Sequence, residues 1–246
     1  MQIRYAGFTE KGLVRKINQD AILMYSKKEI SVFCVADGMG GHFGGEIASK
    51  CIIDNLKAWC EDFDSEKYRG DFYLVTQSLS KCLEKTNQLI FENYNQNQVC
   101  GSTFVLLYIY KGYYGCMSLG DSRIYQKSRF RFYQITSDDV WENEKSNITG
   151  MTKEEIVKHS KHGKLTHAIG IYPKTTVHLK TTELKGITIF LLCSDGIYRT
   201  CSEKKMHLAC IKMKQFKADE GIKQLKREAF LKGAPDNMSA IIVSIK

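Results

Sequence analysis

Short apolar or alternating runs bounded by turn residues are the most frequent pattern along this chain, and they are typical of β-strands. Two of them, 32–36 and 187–193, are apolar on both faces, which predicts strands that are covered on each side. The runs lie at residues 3–8, 21–25, 31–36, 102–110, 113–119, 122–126, 130–135, 176–183, 187–193 and 238–245. The chain is therefore predicted to be rich in strands.

Three stretches instead place apolar residues three and four positions apart, which predicts helices with one apolar face. The first carries Ile47, Ile52 and Trp59, the second runs from 72 to 90, and a more basic third runs from about 218 to 231. Only Lys111 and Gly112 separate two of the strands, and the later strands follow at turn distance, so antiparallel hairpins are predicted. We expect an α+β fold: a central two-sheet antiparallel β-sandwich flanked by helices.

Length and composition favour one compact domain over residues 1–246. Of these residues 43% are hydrophobic, only two are proline, and no stretch has the composition of a linker. The first residues lack the pattern of a signal peptide, and the apolar runs are too short to cross a bilayer. We expect a cytoplasmic protein without a membrane segment.

Cysteine usage and charge exclude several other classes. Nine cysteines, none in a Cys-x-x-Cys pair, support neither a disulfide framework nor a zinc site. The net charge of +9 would suit nucleic acid, anionic membrane or acidic phosphoproteins. Because no nucleic-acid-binding motif accompanies it, we interpret the charge as a solvated surface and expect no nucleic-acid partner.

Five aspartates lie where strands begin or end. Asp37, Asp121 and Asp195 follow predicted strands, whereas Asp20 and Asp236 precede them. If the first group of strands runs antiparallel to the second, all five carboxylates meet at one end of the sandwich. Each Asp-Gly or Asp-Asn pair alone could be ordinary turn chemistry, but the joint occurrence favours a common site.

Carboxylates held this close must take up protons or bind a cation. Oxygen ligands without Cys or His select hard cations such as Mg²⁺ or Mn²⁺. Two such ions sharing a carboxylate would acidify a water molecule and clamp a phosphoryl oxygen. The cluster therefore predicts phosphate hydrolysis.

The residues around these aspartates resemble the protein phosphatase 2C family, in its compact bacterial form, along nearly the whole chain. The matching segments are 12–20 (GLVRKINQD), 35–42 (VADGMGGH), 45–49 (GEIAS), 101–103 (GST), 120–125 (GDSRIY), 165–170 (LTHAIG), 193–196 (CSDG) and 236–239 (DNMS). The resemblance implies a serine/threonine phosphatase that uses a dinuclear Mn²⁺ or Mg²⁺ centre.

Metal roles follow from the resemblance for each matching position. It implies that Asp37 bridges the two ions, that Asp195 and Asp236 bind one of them, and that the Gly38 carbonyl binds the other. Asp20 would act mostly through metal-bound waters. Asp121 with Asp195 would form the third-metal site of bacterial relatives.

The implied reaction is direct attack of a metal-bridging water on phosphoserine or phosphothreonine in a protein. Arg15 matches the arginine that holds the phosphate, for which its planar fork is suited. His42 is a candidate general acid, although it could instead help to place its loop, and a metal-bound water could replace it. We expect phosphorylated proteins and a serine/threonine kinase pathway as partners, and a monomer.

Three positions depart from the family pattern. His167 stands where an arginine is usual, Ser137–Val140 stand near a usual His-Ser pair, and Gln19 often has a Glu counterpart. The first two lie in or beside residues 137–172, where we expect a flap-like insertion, so they affect substrate selection more than chemistry.

Two other functions remain open at this point. The chain could be a catalytically silent domain that binds phosphoproteins or a kinase, although it keeps all the aspartates and Arg15. It could also act on a regulator of the anti-anti-sigma type, but such enzymes often carry sensor domains, for which this sequence has no room.

Overall fold

The computed structural model describes residues 1–27, 29–40, 44–95, 99–129, 131–215 and 219–246. Its strands are β1 (Ile3–Glu10), β2 (Asp20–Lys27), β3 (Ile30–Gly40), β4 (Cys100–Tyr110), β5 (Tyr113–Leu119), β6 (Arg123–Lys127), β7 (Phe132–Gln134), β8 (His178–Glu183), β9 (Thr188–Cys193) and β10 (Met238–Ile245). All ten predicted strands are confirmed, and their ends move by four residues at most.

The strands form two five-stranded antiparallel sheets, so the predicted β-sandwich is confirmed. One sheet has the order β1-β10-β9-β6-β7 and the other β2-β3-β4-β5-β8. The hairpin of β4 and β5 turns at Lys111 and Gly112, which both have positive φ, at 47° and 83°. Such a turn matches the twist of the paired strands.

One predicted hairpin is wrong. β5 and β6 follow each other at turn distance but belong to different sheets, and the chain crosses between them at 120–122. Gly120 has a φ of 98° there, which a residue with a side chain rarely adopts. The crossing leaves Asp121 at the end of the sandwich, between the two sheets.

The apolar core lies in three layers. Phe33, Val35, Phe190 and Leu192 are fully buried between the sheets, and Val32 is fully buried on the outer face of β3 under the helices. The runs that are apolar on both faces are therefore covered on both, as predicted.

Helices cover the outer face of each sheet. The helices are α1 (Gly44–Glu61), α2 (Phe72–Tyr94), α3 (Lys145–Ile148), α4 (Lys153–Lys158), α5 (Asp195–Tyr198), α6 (Glu203–Gln215) and α7 (Glu220–Leu231), with a 3₁₀ turn at Trp141–Asn143. The three predicted helices correspond to α1, α2 and α7. Among the described residues, none of the helices combines the length and the apolar character that crossing a membrane needs.

Helix α6 was not predicted from the sequence. Its buried residues are Met206, Ala209, Cys210 and Met213, which have helical spacing. Because these buried residues are small or contain sulfur and alternate with lysines, the apolar periodicity of the helix is weak. The helix packs with α7 against β9 and β10, so it supports the strands that lead to Asp195 and Asp236.

Candidate metal and phosphate site

The candidate site is built where strands of both sheets end. Asp20 is the first residue of β2 and lies directly opposite Asp37 in the antiparallel register of β2 and β3. Asp121 lies two residues after β5, Asp195 opens α5 two residues after β9, and Asp236 lies two residues before β10. Asp37 does not end its strand as the sequence suggested, because β3 continues to Gly40.

The structure brings all five carboxylates close enough to act on one another. Burial raises the pKa of Asp37 well above its usual range, and the negative charges of Asp20, Asp195, Asp121 and Asp236 raise it further. A cation at this position would offset both effects, because it favours the ionised carboxylates. The five carboxylates therefore cannot all be ionised at low cost unless protons or a cation are bound.

Asp20 and Asp37, which we call the inner carboxylates, lie opposite each other on β2 and β3. Asp20 is only 7% exposed, and its Oδ2 accepts a hydrogen bond of 2.7 Å from the Ser194 hydroxyl. Its Oδ1 is buried and has no hydrogen-bond partner among the described residues. Burial raises the pKa of Asp20 to about 7, with a further contribution from the charge of Asp195. A buried oxygen without a partner is costly unless a ligand completes it.

Asp121 and Asp195, the outer carboxylates, face a cation of the chain itself. Arg199 Nη2 lies 3.2 Å from Asp195 Oδ2 and 3.5 Å from Asp121 Oδ2. The Tyr198 hydroxyl donates to the same Asp121 oxygen at 3.1 Å. Burial raises the pKa of Asp195 to about 6, while Arg199 opposes the increase. Sequence reasoning missed both Tyr198 and Arg199.

Arg15 lies at the rim of the cluster. Its Nη2 donates to Asp236 Oδ2 at 2.7 Å, and about half of its side chain is exposed to solvent. The hydrogen bond to Asp236 raises the pKa of Arg15, and the charges of Asp195 and Asp37 add to the increase. An exposed guanidinium beside the carboxylates is able to meet an incoming anion.

Asn237 fixes the loop that carries Arg15. Its Oδ1 accepts from the Gln19 backbone N–H, and its Nδ2 donates to the carbonyls of Lys11 and Ile17, each at 2.9 Å. The sequence placed Asn237 in a matching segment without a role. Its partners lie about 220 residues away along the chain, so no local pattern could have revealed them.

The backbone at Gly38 passes very close to its neighbours. A Cβ atom added there would lie 2.0 Å from the Gly45 carbonyl oxygen and 2.6 Å from that of Gln19. The Gly38 N–H donates to the Gln19 carbonyl at 3.1 Å, and the Ser49 hydroxyl donates to the same carbonyl at 2.6 Å. Only glycine permits β3, the loop before β2 and helix α1 to approach this closely.

The predicted general acid His42 lies outside the described residues, so its role stays a prediction.

The residues that depart from the family pattern near the predicted flap make side-chain contacts. Asp138 accepts a bidentate interaction from Arg123, and Asp139 bonds the Gly120 N–H and His178, each at 2.7 Å. His167 is half exposed, with Nδ1 3.7 Å from Glu144 Oε1.

The carboxylates of the cluster differ in how well they fit two divalent ions. As they stand, no three Asp, Glu, His or Cys side chains in the described ranges are arranged to hold a metal ion. Arginine side chains contact Asp236, Asp195 and Asp121. The unpartnered oxygen of Asp20 and the mutual repulsion at Asp37 nevertheless fit a hard cation, provided that Arg15 leaves Asp236.

Comparison with known proteins identifies the family. The family model described as protein phosphatase 2C matches residues 14–238. This chain belongs to the protein phosphatase 2C family. It is 25% identical over 244 residues to the serine/threonine protein phosphatase PstP of Mycobacterium tuberculosis, with 99% of this chain and 45% of PstP aligned. It therefore spans about half the length of that relative.

Other relatives align over most of their length. The serine/threonine phosphatase stp of Listeria monocytogenes is 25% identical, with 96% of this chain and 93% of that protein covered. A structure of the PstP catalytic domain in complex with two manganese ions superimposes with a TM-score of 0.78 at 26% identity, covering 99% of both chains. The resemblance inferred from the motifs and the fold is thereby confirmed.

Proposed function

We propose that this protein is a metal-dependent phosphatase that removes phosphate from phosphoserine and phosphothreonine in proteins. The observation that carries the proposal is the group of five clustered aspartates, with a buried and unpartnered Asp20 oxygen and with the exposed Arg15 at its rim. An array of this kind attracts hard cations and presents them to an anion. Membership of the protein phosphatase 2C family supports the same reaction.

Residues of the chain would bind the metal ions and orient water. Asp37 would bridge two Mn²⁺ or Mg²⁺ ions, with Asp195 and Asp236 on one and the Gly38 carbonyl on the other, as the motifs predict. When bound, the ions would supply Lewis acidity and would lower the pKa of the water that serves as the nucleophile. Asp20 would orient water through its free oxygen while Ser194 holds its other oxygen.

Arg15 would bind the substrate phosphate. With a metal ion at Asp236, the guanidinium would be free to turn toward solvent and offer two N–H donors to two phosphate oxygens. Asn237 would keep the loop in place during this exchange, because it binds the loop at three backbone positions. His42 remains the proposed proton donor for the departing serine or threonine oxygen.

Substrate choice would depend on the residues around the predicted flap. A groove near the site is lined by His167, Lys174 and His178, among others. Asp139 also lines this groove but is paired with His178, so Lys174 and His167 are the side chains that would suit acidic or phosphorylated segments. We propose phosphoproteins of a serine/threonine kinase pathway as substrates.

The deciding experiment measures phosphate release from p-nitrophenyl phosphate and from a phosphothreonine peptide, with Mn²⁺, with Mg²⁺ and with EDTA. We expect metal-dependent release that Asp37→Asn and Asp195→Asn abolish. Asp54→Asn, an exposed position on α1, is the matched control and should retain full activity.

Two outcomes would count against the proposal. Release that persists in EDTA would exclude a metal-dependent reaction. Binding of Mn²⁺ without release from either substrate would favour the catalytically silent phosphoprotein-binding domain instead.

A further inference from the structure

Arg199 occupies the space between the outer carboxylates. The side chain begins one helical turn after Asp195 and reaches both carboxylates through a single nitrogen, Nη2, at 3.2 Å from Asp195 and 3.5 Å from Asp121. A cation of the chain is therefore already present between the two residues that the family resemblance assigns to a third metal ion.

Further contacts stabilise this arrangement. The Tyr198 hydroxyl donates to the same Asp121 oxygen that faces Arg199. The guanidinium of Arg123 stacks on the Tyr198 ring at 3.6 Å, and Arg123 is itself held by Asp138. Asp121 Oδ2 thus has two donors from the protein, one of which is supported by a second ion pair.

With Arg199 between them, Asp121 and Asp195 do not fit a third divalent ion. A third ion would have to displace the guanidinium from both carboxylates and would then lie beside its positive charge. At the inner carboxylates the balance of charge differs: the charges that act most strongly on Asp37 are those of other aspartates, and the ion pairs of Arg15 and Arg199 involve neither Asp20 nor Asp37.

We propose that Arg199 is a built-in counter-ion that takes the place of the third metal ion, so that this protein binds two ions and not three. The part of the inference that concerns the two ions of the dinuclear centre rests on the proposed function. For the outer carboxylates it rests on the contacts of Arg199 and Tyr198 alone, and it differs from the expectation that the resemblance gave for Asp121.

The test compares the wild-type protein with Arg199→Ser and, as a matched control, Lys204→Ser. Lys204 is exposed on α6, so its loss changes the net charge equally and leaves the carboxylates untouched. Arg199 is 57% exposed, so its substitution should leave the fold intact, which circular dichroism would verify. Two readouts are used: the number of Mn²⁺ ions bound, from the electron paramagnetic resonance of free Mn²⁺, and the anomalous scattering of Mn²⁺-soaked crystals.

We expect two bound ions in the wild type and in Lys204→Ser. Arg199→Ser should bind a third, with an anomalous peak between Asp121 and Asp195. A peak at that position in the wild type, with Arg199 turned away, would overturn the proposal. A variant that gains no third ion would also overturn it.

Failure of the proposed function would be recognised separately. If the wild type binds no ion at Asp37, the dinuclear centre is wrong. The peak between Asp121 and Asp195 in Arg199→Ser would still decide whether Arg199 excludes an ion there.

Discussion

The inner and outer carboxylates differ in what the chain supplies to them. Asp20 and Asp37 face each other across two strands, and one oxygen of Asp20 is buried without a partner. Asp121 and Asp195 share the guanidinium of Arg199, and Asp121 also accepts from Tyr198. Burial raises the pKa of both Asp20 and Asp195, and the guanidinium of Arg199 opposes the increase at Asp195.

The difference shows that aspartates in one cluster can serve opposite purposes. A buried carboxylate without a counter-charge gains most from a cation that comes from solution, since desolvation has already weakened its ionised form. A carboxylate that already has a guanidinium gains less from an added ion. The local supply of donors, rather than the residue type, decides where ions are expected.

The largest expected effect is on stabilisation by metal. A ligand at about 100 times its Kd stabilises a protein by roughly 2.7 kcal/mol, which for a chain of this size raises Tm by about 5 to 10 °C. We expect 1 mM Mn²⁺ to raise the wild-type Tm by about this amount. Asp37→Asn should lose the increase, because the ions share this inner carboxylate.

Asp121→Asn is the matched outer variant for that measurement. It should keep most of the Mn²⁺-dependent increase in Tm, since Arg199 already serves this carboxylate. Differential scanning fluorimetry with Mn²⁺ and with EDTA measures both variants. Equal losses in the two variants would mean that the inner and outer carboxylates do not differ as the contacts indicate.

An intermediate effect is expected at Asn237, which holds the loop that carries Arg15 and leads to Asp20. Removal of a buried hydrogen-bonding side chain costs about 1–3 kcal/mol, and Asn237→Ala leaves three backbone groups without their partner. We expect a fall in Tm of about 5 °C and a KM increased by about tenfold, because the Arg15 loop is released. Denaturation and steady-state kinetics would measure these changes.

The control for Asn237 is Asn143→Ala, which removes one exposed hydrogen bond, to the Asp138 carbonyl. It should change Tm by less than about 2 °C. A similar loss in both variants, or an unchanged KM in Asn237→Ala, would argue that Asn237 does not position the loop.

Strand positions could be predicted from the sequence because apolar alternation is a local property. The same positions led to the correct expectation that aspartates at strand ends meet, since Asp20 lies opposite Asp37. Sheet membership could not be predicted, because turn distance alone does not distinguish a hairpin from the crossing between β5 and β6.

The contact partners of the site residues could not be predicted from the sequence either. The pairing of Arg199 with Asp121 joins residues 78 positions apart, and the contacts of Asn237 depend on a loop near the other end of the chain. Arg199 gave one local signal, its spacing of four residues after Asp195 in a helical turn. That spacing predicts an ion pair with Asp195 but cannot include Asp121.

The smallest expected effect is the pH dependence of the metal-free protein. The pKa of Asp20 is about 7 in the folded state against an ordinary 3.8, so the folded state holds a proton that the unfolded state has lost. Protonation therefore favours folding, and this stability is lost as pH rises through 7. Between pH 6 and pH 8 the loss is about 1 kcal/mol, or about 2 to 4 °C in Tm.

Asp20→Asn tests this assignment, because an amide cannot titrate. In EDTA we expect the wild-type Tm to fall from pH 6 to pH 8 and the Tm of Asp20→Asn to change less, while the exposed Asp54→Asn behaves as the wild type. Bound Mn²⁺ should reverse the trend in the wild type, since metal ions require the ionised carboxylates that high pH supplies. Equal slopes in Asp20→Asn and the wild type would place the titrating proton elsewhere, and Asp195, with its pKa of about 6, would be the next position to substitute.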